Sequence, residues 1–317
     1  MRAIVVDNHR ALTLADVPRP ELGPNDLRIA VRATAINRAD LLQRAGHYPP
    51  PPGASTLLGL ECAGIVSEVG ANVVRWNVGD RVMALLPGGG YAEEVVVHAG
   101  SAMPVPEALS LEEAAAIPEV FLTAFLNLFM LANVREGETA LIHGGGSGVG
   151  TAATTLCKLA NVRVIVTAGS SEKCVRCLQH GADVAINYRE EDFVEKARGA
   201  NVILDHIGAR YLARDLEALA IDGRIVIIGS MGGERMTELD IGKILGKRAQ
   251  IIGSTLRNRT SDEKASIVRA FLDRFGADLG EGRVRPVVHQ VLPLARAEDA
   301  HDRMEASDHF GKIVLKV

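Results

Sequence analysis

The densest chemical signal in the sequence is a glycine run. Ala140-Leu141-Ile142-His143 leads into Gly144-Gly145-Gly146-Ser147-Gly148-Val149-Gly150, and a helical pattern follows. Glycines at a strand-to-helix turn let the backbone approach a pyrophosphate, where free N–H groups and the helix dipole favour an anion. Two competing readings fail on spacing. A nucleoside-triphosphate loop needs Lys after its last glycine, where Thr151 stands. A nucleophile elbow needs Gly two residues after Ser147, where Val149 stands. The dinucleotide reading departs from strict spacing as well, because Ser147 takes a glycine position. A plain strand-to-helix turn therefore stays open on this run alone, and the alternating context around it favours a dinucleotide.

A second cluster follows the next apolar run, at Thr167-Ala168-Gly169-Ser170-Ser171-Glu172-Lys173. An NAD site places a carboxylate there for the ribose 2′-hydroxyl. Here the first residues past the strand are small and neutral and Lys173 follows, with Glu172 expected to point to solvent. This pattern favours the 2′-phosphate of NADPH. Cys174-x-x-Cys177 with His180 invites a zinc reading, but the residues fall on one predicted helix with no second ligand pair elsewhere. No metal site is expected.

Two kinds of element must position these groups. Up to about Pro118, short β-rich runs (Met1–Val6, Leu27–Ala35, Cys62–Val69, Arg81–Leu86, Tyr91–Val97) alternate with Gly and Pro punctuation. They predict a mostly antiparallel β body with one helix over Arg38–Arg44. Ser110-Leu111-Glu112-Glu113 is a capping box opening an Ala-rich helix, and Pro118 leads into another through Leu131. From Thr139, apolar runs (Ala140–His143, Val162–Thr167, Val184–Asn187, Val202–Asp205, Arg224–Gly229, Gln250–Gly253) alternate with helices near Val149–Leu159, Glu172–His180, Glu191–Arg198, Ala209–Ala220 and Ile241–Gly246. That alternation predicts a doubly wound parallel sheet covered on both faces. A capped helix from Ser261, a strand near Val287, a helix near Glu298 and a last strand Lys312–Val317 are expected to pack back on the β body.

The 317 residues carry 35 Lys+Arg against 39 Asp+Glu, a net charge of −4, with 47% hydrophobic and 23% charged residues. About two globular domains are implied. The charge balance argues against a nucleic-acid partner bound through a basic face. No stretch reads as a membrane span and the N-terminus reads as a strand rather than a signal, so a cytoplasmic protein is expected. Four scattered cysteines do not make a disulfide framework.

Several motifs together resemble the zinc-free quinone oxidoreductases of the medium-chain dehydrogenase/reductase superfamily, nearest the tumour-suppressor-induced branch and more distantly the zeta-crystallins. They are Asn37-Arg38-Ala39-Asp40, Gly46-His47-Tyr48-Pro49, Leu58-Gly59-Leu60-Glu61, Ala84-Leu85-Leu86-Pro87-Gly88-Gly89-Gly90, Ala115-Ala116-Ile117-Pro118-Glu119, Ser147-Gly148-Val149-Gly150, Ile186-Asn187-Tyr188, Met231-Gly232-Gly233 and Gly311-Lys312-Ile313-Val314. The resemblance spans essentially the whole chain. It implies α/β architecture: a GroES-like catalytic domain over residues 1–120 and 258–317, and a Rossmann-type domain over 121–257 with NADPH in the cleft between them. By matched position the cofactor contacts would be Tyr48, Thr123, Gly146, Ser147, Gly148, Val149, Gly169, Ser170, Lys173, Tyr188, Gly229, Ser230, Met231, Gly232, Ser254, Thr255 and Leu256. Thr123 lies where the family approaches the nicotinamide. Tyr188 also has a plain reading, as a strand-end aromatic.

The zinc-dependent members carry a ligand Cys where Asn37 stands and a ligand His where Leu60 stands, so the resemblance implies no metal. An unactivated ketone needs a Lewis acid to take up alkoxide charge. A quinone does not, since hydride transfer to it yields a phenolate, and an activated alkene delocalises charge as an enolate. Small quinones are therefore the expected substrate, with an enone or enal reductase as the same-class alternative and a low-turnover NADPH-binding sensor or crystallin-type protein as the other. Tyr48, Asn37, Asp40 and Thr123 are the expected catalytic groups. Asp40 reads equally as a surface charge and Asn37 as a helix N-cap. The resemblance also implies a homodimer, which pairing of the apolar run Gln250–Gly253 at a sheet edge would provide.

Overall fold

The computed structural model describes residues 1–236 and 238–317. Along the chain run β1 (Arg2–Val6), β2 (Leu12–Asp16), β3 (Asp26–Ala35), α1 (Arg38–Arg44), β4 (Glu61–Val69), β5 (Arg81–Leu85), β6 (Glu94–His98) and β7 (Ala102–Pro104). Then come α2 (Leu111–Ala114), α3 (Pro118–Phe125), β8 (Thr139–Ile142), α4 (Gly148–Leu159), β9 (Arg163–Ala168), α5 (Ser171–Gln179), β10 (Val184–Asn187), α6 (Phe193–Lys196), β11 (Ala200–Asp205), α7 (Ala209–Ala218), β12 (Leu219–Ile227), α8 (Ile241–Lys247) and β13 (Gln250–Gly253). The chain closes with α9 (Ser261–Gly280), β14 (Val288–Pro293), α10 (Ala297–Glu305) and β15 (Lys312–Lys316).

Two compact units result, Met1–Leu122 with Leu256–Val317, and Thr123–Thr255. In the first, β14, β15, β3, β4, β5 and β7 lie side by side and β6 also pairs with β3; β14–β15 is parallel and the other pairs are antiparallel. The C-terminal strands thus return to the N-terminal β body, as the pattern predicted. In the second unit the order is β10-β9-β8-β11-β12-β13, all parallel. By chain order within the unit this is third, second, first, fourth, fifth, sixth, the Rossmann order, with its reversal beside β8, the strand feeding the glycine run.

Several boundaries differ from the sequence reading. The strand expected from Tyr91 starts at Glu94, because Tyr91 turns into the core instead, with no exposed surface. The helices expected over Glu191–Arg198 and after Ser110 are each a single turn, Phe193–Lys196 and Leu111–Ala114. The second begins as predicted, with Ser110 Oγ accepting the Glu113 N–H and the Glu113 carboxylate accepting the Ser110 N–H. The hairpin strand β2 and the short β7 have too few apolar positions to stand out from their surroundings. The helix from Pro118 widens to π geometry over Leu126–Leu131, where Asn127 Nδ2 donates to the Thr123 carbonyl at 2.7 Å. Such wide turns recur at functional sites.

Candidate active site

In the second unit the glycine run closes tightly on its neighbours. A Cβ added to Gly150 would stand 2.3 Å from the Gly144 carbonyl oxygen, and one on Gly145 would stand 2.6 Å from Val166 Cβ. Ser147 is the N-cap of α4, its Oγ accepting the Gly150 N–H at 3.0 Å. The N–H groups of Gly148 and Val149 stand in the first turn, where no helical carbonyl reaches them, and offer donors to an anion.

At the end of β9 stand the residues expected from sequence to meet a 2′-phosphate. Ser170 caps α5, its Oγ accepting the Lys173 N–H at 3.2 Å, so its own proton is available to a ligand. Tyr188 follows β10, and its hydroxyl packs against Gly169: a Cβ there would lie 2.7 Å from Tyr188 Oη. Tyr188 is 43% exposed and stands directly after the strand, so its reading as a plain strand-end aromatic stays open beside the cofactor reading. Glu172 is exposed, as expected.

The Gly229–Gly233 loop is laced to the turn after β11, with the Met231 N–H donating to the His206 carbonyl and the Gly232 N–H to that of Ile207. Gly229 and Ser230 open that loop. Ser254 follows β13, and its Oγ is buried without a hydrogen-bond partner among the described residues. An orphaned hydroxyl after one strand of the sheet and free first-turn donors after another are polar groups that a dinucleotide could satisfy, so these residues fit the cofactor that the sequence implied. Thr255 is exposed, whereas the Leu256 side chain is only 6% exposed, so a contact from Leu256 is confined to its backbone.

In the first unit the polar residues picked from sequence form a buried network. Asp40 has no exposed surface, which rules out the surface-charge reading. Its carboxylate accepts from the Asn37 N–H at 2.8 Å, the Tyr91 hydroxyl at 3.0 Å and the Gly59 N–H at 3.1 Å. Burial pushes its pKa up to about 6, against those three bonds. Asn37 does stand at the N-cap of α1, in a capping box with Asp40. Its Nδ2 donates to Glu61 Oε1 at 2.9 Å, and its Oδ1 accepts from Lys312 Nζ at 2.6 Å. Lys312 also pairs with Glu61 at 2.8 Å, both side chains being 3% exposed or less. A lysine ammonium is therefore fixed against the residue at the zinc enzymes' cysteine position.

Tyr48 is different: partly exposed, its phenol makes no hydrogen bond among the described residues, and burial raises its pKa. Arg257 lies 5.2 Å from its ring centre and is tethered to the Pro87 carbonyl and Gln43 Oε1. Arg257, Glu61, Lys312 and Glu119 were not picked from sequence as site residues. Two of them, Glu61 and Glu119, close apolar motifs quoted for the resemblance, and Lys312 lies inside a third; a lone charge beside an apolar run was the signal available.

Cys174 and Cys177 are buried, burial pushing Cys177 up to about 12, and His180 Nε2 faces Thr155 Oγ1 and the Thr151 carbonyl of α4. The thiols are thus poor ligands. Among the described residues, one group has metal-binding composition, the core trio His143, Asp205 and Asp215. His143 is already held between Thr167 Oγ1 at 3.0 Å and Asp215 Oδ1 at 2.8 Å, which leaves no room for an ion on that side.

A Rossmann-ordered sheet with a glycine turn, accompanied by a GroES-like β unit, defines a two-unit nucleotide-type oxidoreductase fold. A family model described as zinc-binding dehydrogenase matches residues 148–273, and one described as alcohol dehydrogenase GroES-like domain matches residues 23–107. A quinone oxidoreductase of Rattus norvegicus is 31% identical over 309 residues, covering 95% of this chain and 92% of its own. Two solved structures overlay all of this chain and all of their own at TM-score 0.85: an NAD-dependent alcohol dehydrogenase, 34% identical, and a mycobacterial protein complexed with NADPH, 28% identical. The chain belongs to the medium-chain dehydrogenase/reductase superfamily of oxidoreductases, with quinone oxidoreductases among its relatives. No helix among the described residues is long and apolar enough to cross a membrane.

Proposed function

We propose that the protein is an NADPH-dependent quinone oxidoreductase that works without a metal. The observation that carries this reading is the pairing of Lys312 with Asn37 and Glu61. The ammonium takes the oxygens that a metal ion would need and its charge repels a divalent cation, so the site suits an acceptor that needs no Lewis acid. Bound NADPH supplies a hydride. Ser170, Lys173 and Tyr188 hold its 2′-phosphate; the Gly146–Val149 turn takes the pyrophosphate; Ser254, Thr255 and the Gly229–Gly232 loop line the remainder. Thr123 in one unit and Tyr48 in the other are the groups assigned to orient the reacting rings, while Asn37 and Asp40 support the β unit that carries Tyr48.

The protein is also proposed to be a homodimer. Strand β13 ends its sheet, and Ile241 and Leu245 on neighbouring α8 are 58% and 73% exposed. Pairing β13 with its copy across a two-fold axis satisfies the open edge. Light scattering at micromolar protein should give twice the chain mass, and a monomer would refute the pairing.

The activity is tested by following NADPH oxidation with ortho-quinones, para-quinones and enones, with and without chelator. Quinone turnover unaffected by chelation is expected. Turnover restricted to enones would transfer the reading to an activated-alkene reductase, and activity lost to chelator and restored by zinc would overturn the metal-free site.

A further inference from the structure

We propose that Glu119 is the general acid of this site, delivering the proton that completes quinone reduction; the inference rests on the quinone-reductase reading. Glu119 stands in the first turn of α3, four residues before Thr123 and so on the same helix face. Its backbone N–H donates to Glu61 Oε2 at 2.9 Å, which fixes the start of the helix against the buried Glu61–Lys312 pair. Its carboxyl makes no hydrogen bond among the described residues, and the residue is partly exposed. It is therefore a reachable acid, unlike Asp40, whose oxygens are enclosed.

The groups around it explain why it keeps a proton. Glu61 on β4 and Asp40 on α1 oppose its ionisation, while Lys312 on β15 and Lys264 on α9 favour it. Tyr48 and Arg257 share its electrostatic field. Neither lysine is free to act as its counter-ion, since Lys264 Nζ donates to the Arg257 carbonyl at 2.7 Å and Lys312 is bound to Glu61 and Asn37. Desolvation and the Glu61 charge win, and the carboxyl is pushed up to about 8. An ordinary carboxyl is ionised at neutral pH and has no proton to give. An acid near the working pH is both protonated and able to donate.

The step balances. Hydride transfer from the reduced nicotinamide converts the quinone to the hydroquinone monoanion. The O–H bond of Glu119 then breaks as an O–H bond forms on the phenolate oxygen, giving hydroquinone, and water reprotonates the carboxylate. A phenolate of ordinary basicity, about 10, takes this proton downhill.

The test compares wild type, Glu119→Gln and Glu119→Asp. In wild type, kcat for a para-quinone should fall as pH rises through about 8. Glu119→Gln should lose that limb and about a hundredfold or more in kcat with KM for NADPH unchanged, and Glu119→Asp should recover part of it. Independently of turnover, the infrared carbonyl band of a protonated carboxyl in the cofactor-free protein should disappear over the same pH range and be absent in Glu119→Gln. Wild-type kcat and pH profile in Glu119→Gln would overturn the proposal, as would a carbonyl band unchanged by the substitution. Wild type inactive on every quinone would sink the quinone-reductase reading and the donor role with it, while the infrared titration would still report whether Glu119 holds the proton.

Discussion

The two units are built from opposite materials. The Thr123–Thr255 unit offers backbone donors, glycines and small hydroxyls around Gly145–Gly150 and Ser170, with Lys173 in the first turn of α5 as the cation proposed for a 2′-phosphate. The other unit buries charge: Asp40, Glu61 and Lys312 are at most 2% exposed, Lys312 pairs with Glu61, and Asp40 is held by the Asn37 and Gly59 N–H groups and the Tyr91 hydroxyl. A phosphate ligand already carries charge, so its site needs donors and space. The quinone proposed as acceptor is neutral, so polarity around it would have to come from the protein.

The comparison breaks first at Lys312. Replacing it with Met leaves Glu61 and the Asn37 amide buried without their cation, and breaking a buried pair from one side costs about 3–5 kcal/mol. Denaturant unfolding of Lys312→Met should show a loss of that size. A loss under 1 kcal/mol would mean that the network is not structural.

A milder break is expected in the glycine cradle. Gly150→Ala forces a methyl to within 2.3 Å of the Gly144 carbonyl oxygen, and the strain of such overpacking is about 1–3 kcal/mol. If the loop yields rather than the fold, NADPH affinity by calorimetry should fall about ten- to hundredfold. Unchanged affinity would place the pyrophosphate elsewhere.

The smallest effect concerns His301, whose Nε2 lies 3.2 Å from the Tyr91 hydroxyl. Burial, with Arg44 nearby, lowers its pKa from 6.5 to about 4. The folded protein therefore keeps it neutral while the unfolded chain protonates it. Its stabilisation is present above pH 6.5 and is lost as pH falls through about 4. His301→Gln should flatten the decline of Tm between pH 6.5 and 4.5 by a few degrees, about 2–4 °C for each kcal/mol in a chain of this size. An unaltered slope would show that other groups govern acid unfolding.

The cofactor side was more legible in the sequence than the catalytic side. Gly145, Ser147, Ser170 and Lys173, the residues proposed for the cofactor, are placed by local geometry, since each sits at a strand end or helix start that its own neighbours specify. Glu61, Glu119 and Lys312 act through distant pairing, across 251 positions for Glu61 and Lys312, and nothing near any of them in sequence shows its partners. Asp40 illustrates the difference: its helix was predicted correctly, but its burial depends on Gly59 and Tyr91, which only the β unit brings to it.

The central claim is that charge at the end of β9 selects NADPH. KM for NADPH and for NADH, measured with one para-quinone in wild type and in Lys173→Ala, tests it most directly. A partly solvated charge-assisted contact is worth about 1.5–3 kcal/mol, or roughly ten- to hundredfold in affinity. Wild type should prefer NADPH through KM, and Lys173→Ala should raise KM for NADPH by that factor while leaving NADH and kcat nearly unchanged. Equal losses with both cofactors, or a wild type indifferent between them, would contradict it.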